Sequence, residues 1–161
     1  MPEQEDTPSI DIQAAHKLFS AQCFNETWDL IMNPDRTPEQ NDVMLALTMA
    51  SFWHWTQRED YEPSNASVAF WQISRVFALL GQPENAKRFA KRSLEVTIGT
   101  DIGPFYVGYA YEALARAESV AGNAPKTREY LDHAYKLADA IEDAETKKWL
   151  LDDLATIHRE A

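Results

Sequence analysis

Cysteine is nearly absent from this 161-residue chain. Cys23 stands alone, so no disulfide can form within it, and the composition fits a reducing compartment. Glycine is scarce too, at five residues, beside eight prolines. So few turn formers exclude a turn-rich sandwich or barrel. Positive charge is in deficit: 15 Lys and Arg against 26 Asp and Glu leave a formal net charge of −11. A net anion is repelled by phosphate backbones and anionic lipid, which argues against nucleic-acid and membrane-surface partners. No run approaches the ~18 uninterrupted apolar residues of a membrane span. The polar, acidic residues 1–9 also lack the basic-then-apolar order of a signal peptide. A cytoplasmic protein is the expectation.

What is present is an apolar fraction of 45%. That is enough for a chain of this length to bury about two-thirds of its unfolded surface in one domain. The punctuation is regular. Pro8, Pro38, Pro63, Pro83, Pro104 and Pro125 each open a stretch of helical periodicity, where a missing N–H costs nothing. Gly81, Gly99 and Gly122 fall where three such stretches end, suiting a left-handed C′ position. The segments between read as helices over about 9–32, 38–58, 64–80, 83–98, 104–121 and 124–141. A seventh, about 144–159, carries the stripe Leu150, Leu151, Leu154 and Ile157. No segment sustains the alternation of a strand. The fold class is all-α, with residues 1–8 expected to be a disordered tail and 9–161 a single helical domain.

Starts from Pro63 onward recur about every 20 positions, so helix pairs repeat about every 41. At that offset Phe70 falls on Tyr111, Ile73 on Leu114, Ser74 on Ala115, Arg75 on Arg116, Gly81 on Gly122, Phe89 on Tyr130 and Ser93 on Ala134. A repeated antiparallel pair that buries its face on the next pair is the signature of an α-solenoid.

The run Phe70-x2-Ile73-Ser74-x2-Phe77-x8-Ala86-x3-Ala90-x2-Ser93 resembles the tetratricopeptide repeat. Tyr111, Leu114, Ala115, Leu131 and Ala134 fit in the next unit, whereas Glu118 replaces a large apolar residue and Thr127 a small one. The period also exceeds that family's, which is about 34 residues. The resemblance covers about 64–141 (repeats 64–98 and 104–141), with 9–58 as a divergent first pair and 144–159 as a cap. His54-Trp55, Trp71-Gln72-Ile73-Ser74-Arg75-Val76-Phe77 and Ala110-Tyr111-Glu112-Ala113-Leu114-Ala115-Arg116-Ala117 are similar to phrases in a group of small bacterial tetratricopeptide-like proteins. That likeness carries no catalytic residues over.

Chemistry-bearing motifs are few. His16, His54, His133 and His158 are scattered, and no Cys/His cluster or His-Glu-x-x-His pair implies a metal or other cofactor. Glu26 and Asp29, three apart on one helix, read as paired surface acids. Gly99 to Gly103 reads as a linker between repeats, not a phosphate loop. Cys23, among Phe19, Phe24 and Trp28, reads as a buried, inert thiol. Lys87, Arg88, Lys91 and Arg92 read as a solvated outer face. No enzyme motif is visible.

The resemblance implies that the first helix of each pair lines a concave surface, through Val68, Trp71, Arg75 and Leu79 and then Tyr109, Glu112, Arg116 and Val120. Spacing of i,i+4 sets Trp71 beside Arg75 and Glu112 beside Arg116. Two guanidinium forks a repeat apart could grip an anionic group, an acidic side chain or a chain terminus, with Trp71 and Tyr109 as flat contact area. The alternative is internal, with Glu112 as partner to both arginines. His54, within Phe52-Trp53-His54-Trp55, reads either as a hydrogen-bonded histidine in a seam or as a ligand-binding group near Arg75. The expected function is a protein- or peptide-binding adaptor using its concave face. The competing reading is a small anionic-ligand or catalytic pocket around His54, Trp71 and Arg75. An exposed aromatic cluster at 52–55 would suggest a homodimer.

Overall fold

The computed structural model describes residues 10–158, which form seven helices: α1 (Ile12–Met32), α2 (Pro38–Thr56), α3 (Pro63–Leu79), α4 (Pro83–Thr100), α5 (Pro104–Val120), α6 (Ala124–Asp139) and α7 (Ala144–Ala155). The expected 1–8 tail and Pro8 lie outside the described residues. Local chemistry explains the starts. Asp11 accepts from the Ala14 N–H to open α1, and Asp143 accepts from the Thr146 N–H to open α7. Thr37 and Gln40 cap α2 reciprocally in a capping box. Prolines occupy the first position of α2, α3, α4 and α5, and Pro125 sits in the first turn of α6.

The ends differ from the sequence reading at several places. α2 and α6 stop about two residues early, and α7 stops at Ala155, so Ile157 of its expected stripe follows the helix, still buried. Gly81 and Gly122 take left-handed backbone, with φ of 68° and 74°, after α3 and α5. Gly99, by contrast, lies inside α4, which runs on to Thr100; the left-handed cap is Asp101, with φ 50°. An aspartate tolerates that conformation at modest cost, and the linker shrinks to 101–103. The end of α1 is closed by Arg36. Its Nη1 donates to the carbonyls of Leu30 (3.0 Å), Ile31 (3.3 Å) and Asn33 (2.6 Å), groups that a helix end leaves without partners of its own.

Helices pack chiefly as the pairs α1–α2, α3–α4 and α5–α6, joined by α2 on α3 and α4 on α5. α3 lies along α5, and α7 rests on α5 and α6. The offset from Pro63 to Pro104 equals that from Pro83 to Ala124, so the helix pair is a true structural repeat. Ala86, Ala90, Ala110, Ala115, Ala117, Ala134 and Ala138 have no exposed surface and let neighbouring helices approach closely. Larger side chains, among them Met44, Ile73, Val76, Leu131, Leu150 and Leu154, fill the space between pairs. Each such burial contributes about 1.5–3 kcal/mol.

The first pair is cored differently. Its fully buried residues are mostly small and polar: Ser20 and Thr27 in α1, Thr48 and Ser51 in α2. Two of their hydroxyls are satisfied across a seam, Ser51 donating to the Ser20 carbonyl at 2.8 Å and Thr48 to Gln72 Oε1 at 3.1 Å. Gln72 in turn donates to the Phe24 carbonyl at 3.1 Å, so one buried amide ties α1, α2 and α3 together. Leu18, Phe19, Met49 and Trp53 are left exposed on this pair. On α4, Arg88, Lys91 and Arg92 lie exposed on the outer side, with Arg92 over the Phe70 ring. Among the described residues, no helix is long and apolar enough to cross a membrane.

Candidate functional site

The odd-numbered helices build one wall. A cavity of about 560 Å³ takes three residues from each of them and none from α2, α4 or α6. α1 supplies Phe24, Asn25 and Trp28; α3 supplies Ser67, Val68 and Trp71; α5 supplies Phe105, Tyr106 and Tyr109; α7 supplies Trp149, Asp152 and Asp153. Its volume falls in the range of ligand-binding cavities. The aromatic rings brace one another: Trp28 and Trp71 at 5.8 Å between centroids, Trp71 and Tyr109 edge-to-face at 5.2 Å, Phe105 and Tyr109 at 5.1 Å. Such tilted and edge-on contacts suit the ring quadrupoles. A smaller cavity continues from it past Ala21, Trp55 and Asn65, sharing Phe24, Asn25, Val68 and Tyr106.

Beside the wall lies a buried ionic network. Glu112 is wholly buried, and three donors converge on its carboxylate: Trp71 Nε1 at 2.7 Å, Arg116 Nε at 2.7 Å and Arg75 Nη1 at 3.2 Å. Arg75 Nη1 also stands 3.6 Å from Asp153 Oδ1, and Tyr109 donates its hydroxyl to Asp153 Oδ2 at 2.8 Å. Arg116 Nη2 reaches the Asp153 carbonyl at 3.1 Å and Thr156 Oγ1 at 2.7 Å. Two guanidiniums and two carboxylates balance, and the network fastens α3, α5 and α7 together. Arg75 Nε is buried without a hydrogen-bond partner among the described residues.

Electrostatics follow from that arrangement. Burial alone would raise the Glu112 pKa, but the Arg116 and Arg75 charges and the Trp71 bond outweigh it and hold the carboxyl below its ordinary 4.5. Asp153 goes the other way: burial, then the nearby Glu112 charge, raises it above 3.8. Burial and the Asp153 charge push the Tyr109 hydroxyl far up, so it stays protonated as a donor.

Of the six residues singled out from the sequence, five come together here. Trp71 and Tyr109 line the cavity, whereas Arg75, Glu112 and Arg116 stand behind it and spend their hydrogen bonds on one another and on α7. The internal alternative is thus the observed geometry. His54 is elsewhere. Its Nδ1 meets His16 Nδ1 at 2.8 Å, and its ring packs on Phe19 and Trp53, between α1 and α2. Burial, then the His16 charge, lowers its pKa from 6.5. Cys23 is half-buried rather than buried as expected, and desolvation pushes its thiol up, which lowers its thiolate content. Among the described residues, no group of three or more His, Cys, Asp or Glu could hold a metal ion.

Sequence reasoning missed the contributions of α1 and α7. Those of α7 had a signal. Carrying the repeat register one step further takes Trp71 and Glu112 to Asp153, and Ser67 and Gly108 to Trp149. α7 is therefore the third wall helix in this register, after α3 and α5, and the fourth of the wall. No protein-family model matches the chain, and no curated protein or solved structure matches it either.

Proposed function

We propose that the chain is a tetratricopeptide-like binding module that takes a protein or peptide segment on its concave face, in the cavity walled by α1, α3, α5 and α7. One observation carries this reading: four helices from successive units each give three side chains to a single aromatic-rich cavity. Repeat proteins bind through such surfaces because each unit adds one helix to a continuous wall. Rigid rings offer contact area at little entropic cost. The step from fold to use is an analogy, and the size and aromatic lining of the cavity support it.

Selection from a displayed peptide library tests it, with the bound site mapped by the indole NMR signals of the tryptophans. Trp149→Ala and Tyr106→Ala, which alter solvent-accessible walls, should weaken selected peptides at least tenfold. Trp53→Ala, outside the cavity, should not. Selected peptides indifferent to both wall variants sink the reading.

The anionic-ligand alternative around His54, Trp71 and Arg75 has less support. His54 is bonded to His16, and Arg75 is turned to Glu112. A second reading, homodimerisation through the first pair, is favoured by Trp53, which is 53% exposed, beside exposed Leu18, Phe19 and Met49. Exposed apolar side chains concentrated on one helix pair favour association where they form a patch. Sedimentation velocity on Trp53→Ala decides it: an unchanged mass relative to the parent chain ends it.

A further inference from the structure

The cavity's charge is opposite to what two neighbouring arginines suggest. Neither guanidinium lines it, and among the described residues no Lys, Arg or His does. The lining holds seven aromatic side chains and two carboxylates, Asp152 and Asp153. The exposed Asp152 pairs with Lys148 across one turn of α7, a surface pair of small energetic weight. Asp153 is partly buried; one oxygen accepts from Tyr109, and the other forms an ion pair with Arg75 at 3.6 Å, too long for a hydrogen bond, so its charge is offset only in part. The faces of tryptophan and tyrosine rings are negative and attract cations. The whole chain, at −11, adds to the same potential.

We propose that the occupant is a basic peptide segment, and that it places a lysine or arginine side chain in this cavity. This rests on the peptide-binding reading above and names its ligand class. The apolar stem of such a side chain lies along the rings of Trp71, Tyr109 and Trp149, while the charged head meets Asp152 and Asp153. An acidic segment meets the same two carboxylates and is repelled, and a neutral one gains only the ring contacts. Specificity thus arises from what the cavity repels as much as from what it holds.

Three acetylated, amidated pentapeptides test the proposal, each with leucine and phenylalanine flanking a central lysine, methionine or glutamate. They are titrated into the full chain and followed by the tryptophan indole signals. The lysine peptide should bind about tenfold tighter than the methionine peptide, and the glutamate peptide weakest. Raising salt from about 0.05 to about 0.5 M should weaken only the lysine peptide's binding. Asp152→Asn, at an exposed position, should weaken the lysine peptide several-fold and shrink its advantage over the methionine peptide. Methionine or glutamate binding as tightly as lysine overturns the cationic specificity while leaving peptide binding in place. No shift of the cavity tryptophans by any of the three at millimolar concentration overturns both.

Discussion

The pairs α3–α4 and α5–α6 share one frame, a single repeat apart, yet they are held together by different chemistry. In α3–α4 the helices are stitched by hydroxyls: Ser93 donates to the Ser67 carbonyl at 3.1 Å, and Ser74 to the Ala86 carbonyl at 2.9 Å. In α5–α6 the residues in register with Ser67, Ser93 and Ser74 are Gly108, Ala134 and Ala115, and the joint is apolar. The space freed at Gly108 is taken by Leu150 of α7. The frame therefore demands small residues where helices cross and is indifferent to whether they are polar. On the wall even size is free, since Trp71, Glu112 and Asp153 share one register position.

That contrast can be broken most severely at its charged centre. Glu112→Leu leaves two buried guanidiniums without their carboxylate and should cost about 3–5 kcal/mol in urea unfolding. The register partner, Trp71→Phe, removes one hydrogen bond to the same carboxylate and should cost about 1–3 kcal/mol. Equal costs would mean that Glu112 is no more than a packing residue. The same centre sets acid sensitivity. Because the folded Glu112 pKa lies below 4.5, its stabilisation is complete above that pH and is lost as pH falls through the folded value.

The next test exchanges joints. A Cβ at Gly108 would lie 2.6 Å from Leu150 Cδ2, and Leu150 is fully buried. Gly108→Ser, which installs the first repeat's residue in the second, should cost about 1–3 kcal/mol through overpacking. Adding Leu150→Val should cost less than the sum of the two single changes. Strict additivity in a double-mutant cycle would remove Leu150 from the explanation.

The reverse exchange is milder. The Ser67 and Ser93 hydroxyls also lie 3.3 Å apart. Replacing both residues with alanine removes the two hydroxyls together, leaves only the helical Ser67 carbonyl, and should alter stability by less than about 1 kcal/mol. Ser93→Ala alone, which leaves the buried Ser67 hydroxyl without its neighbour, should be the worse of the two. Ranking them by thermal or urea midpoints is sufficient.

The smallest effect belongs to the first pair. The folded His54 pKa is below 6.5, so the folded state resists taking up a proton there. Stability should be full above that pH and decline shallowly as pH drops through it. His16→Ala, which removes the partner imidazole, should flatten the slope in urea midpoints measured between about pH 5 and 7.5.

Much of the fold was legible because its boundaries are written in backbone chemistry. Proline at a first turn and glycine after a last one act locally, so Pro63, Pro83, Pro104, Gly81 and Gly122 could be read one at a time. Gly99 misled because glycine permits a helix to end without forcing it, and the left-handed turn went to Asp101. Within the site, Trp71 and Tyr109 followed from register. The role of the arginines did not, because a guanidinium beside a carboxylate on one helix face looks the same whether it meets solvent or a second buried acid. What decides here is α7, which brings Asp153 against Arg75 and covers the pair. Phe24 and Trp28 stayed hidden because α1 follows no register with the later repeats.

The first and seventh helices both contribute to one cavity although five others separate them in sequence. Its span is therefore a property of how many units lie between them. Units in such an array pack chiefly on their neighbours, so an inserted copy of residues 104–144 would move α7 outward and part Asp153 from Arg75. Aperture, and with it the bulk of what can enter, is in this architecture a matter of counting.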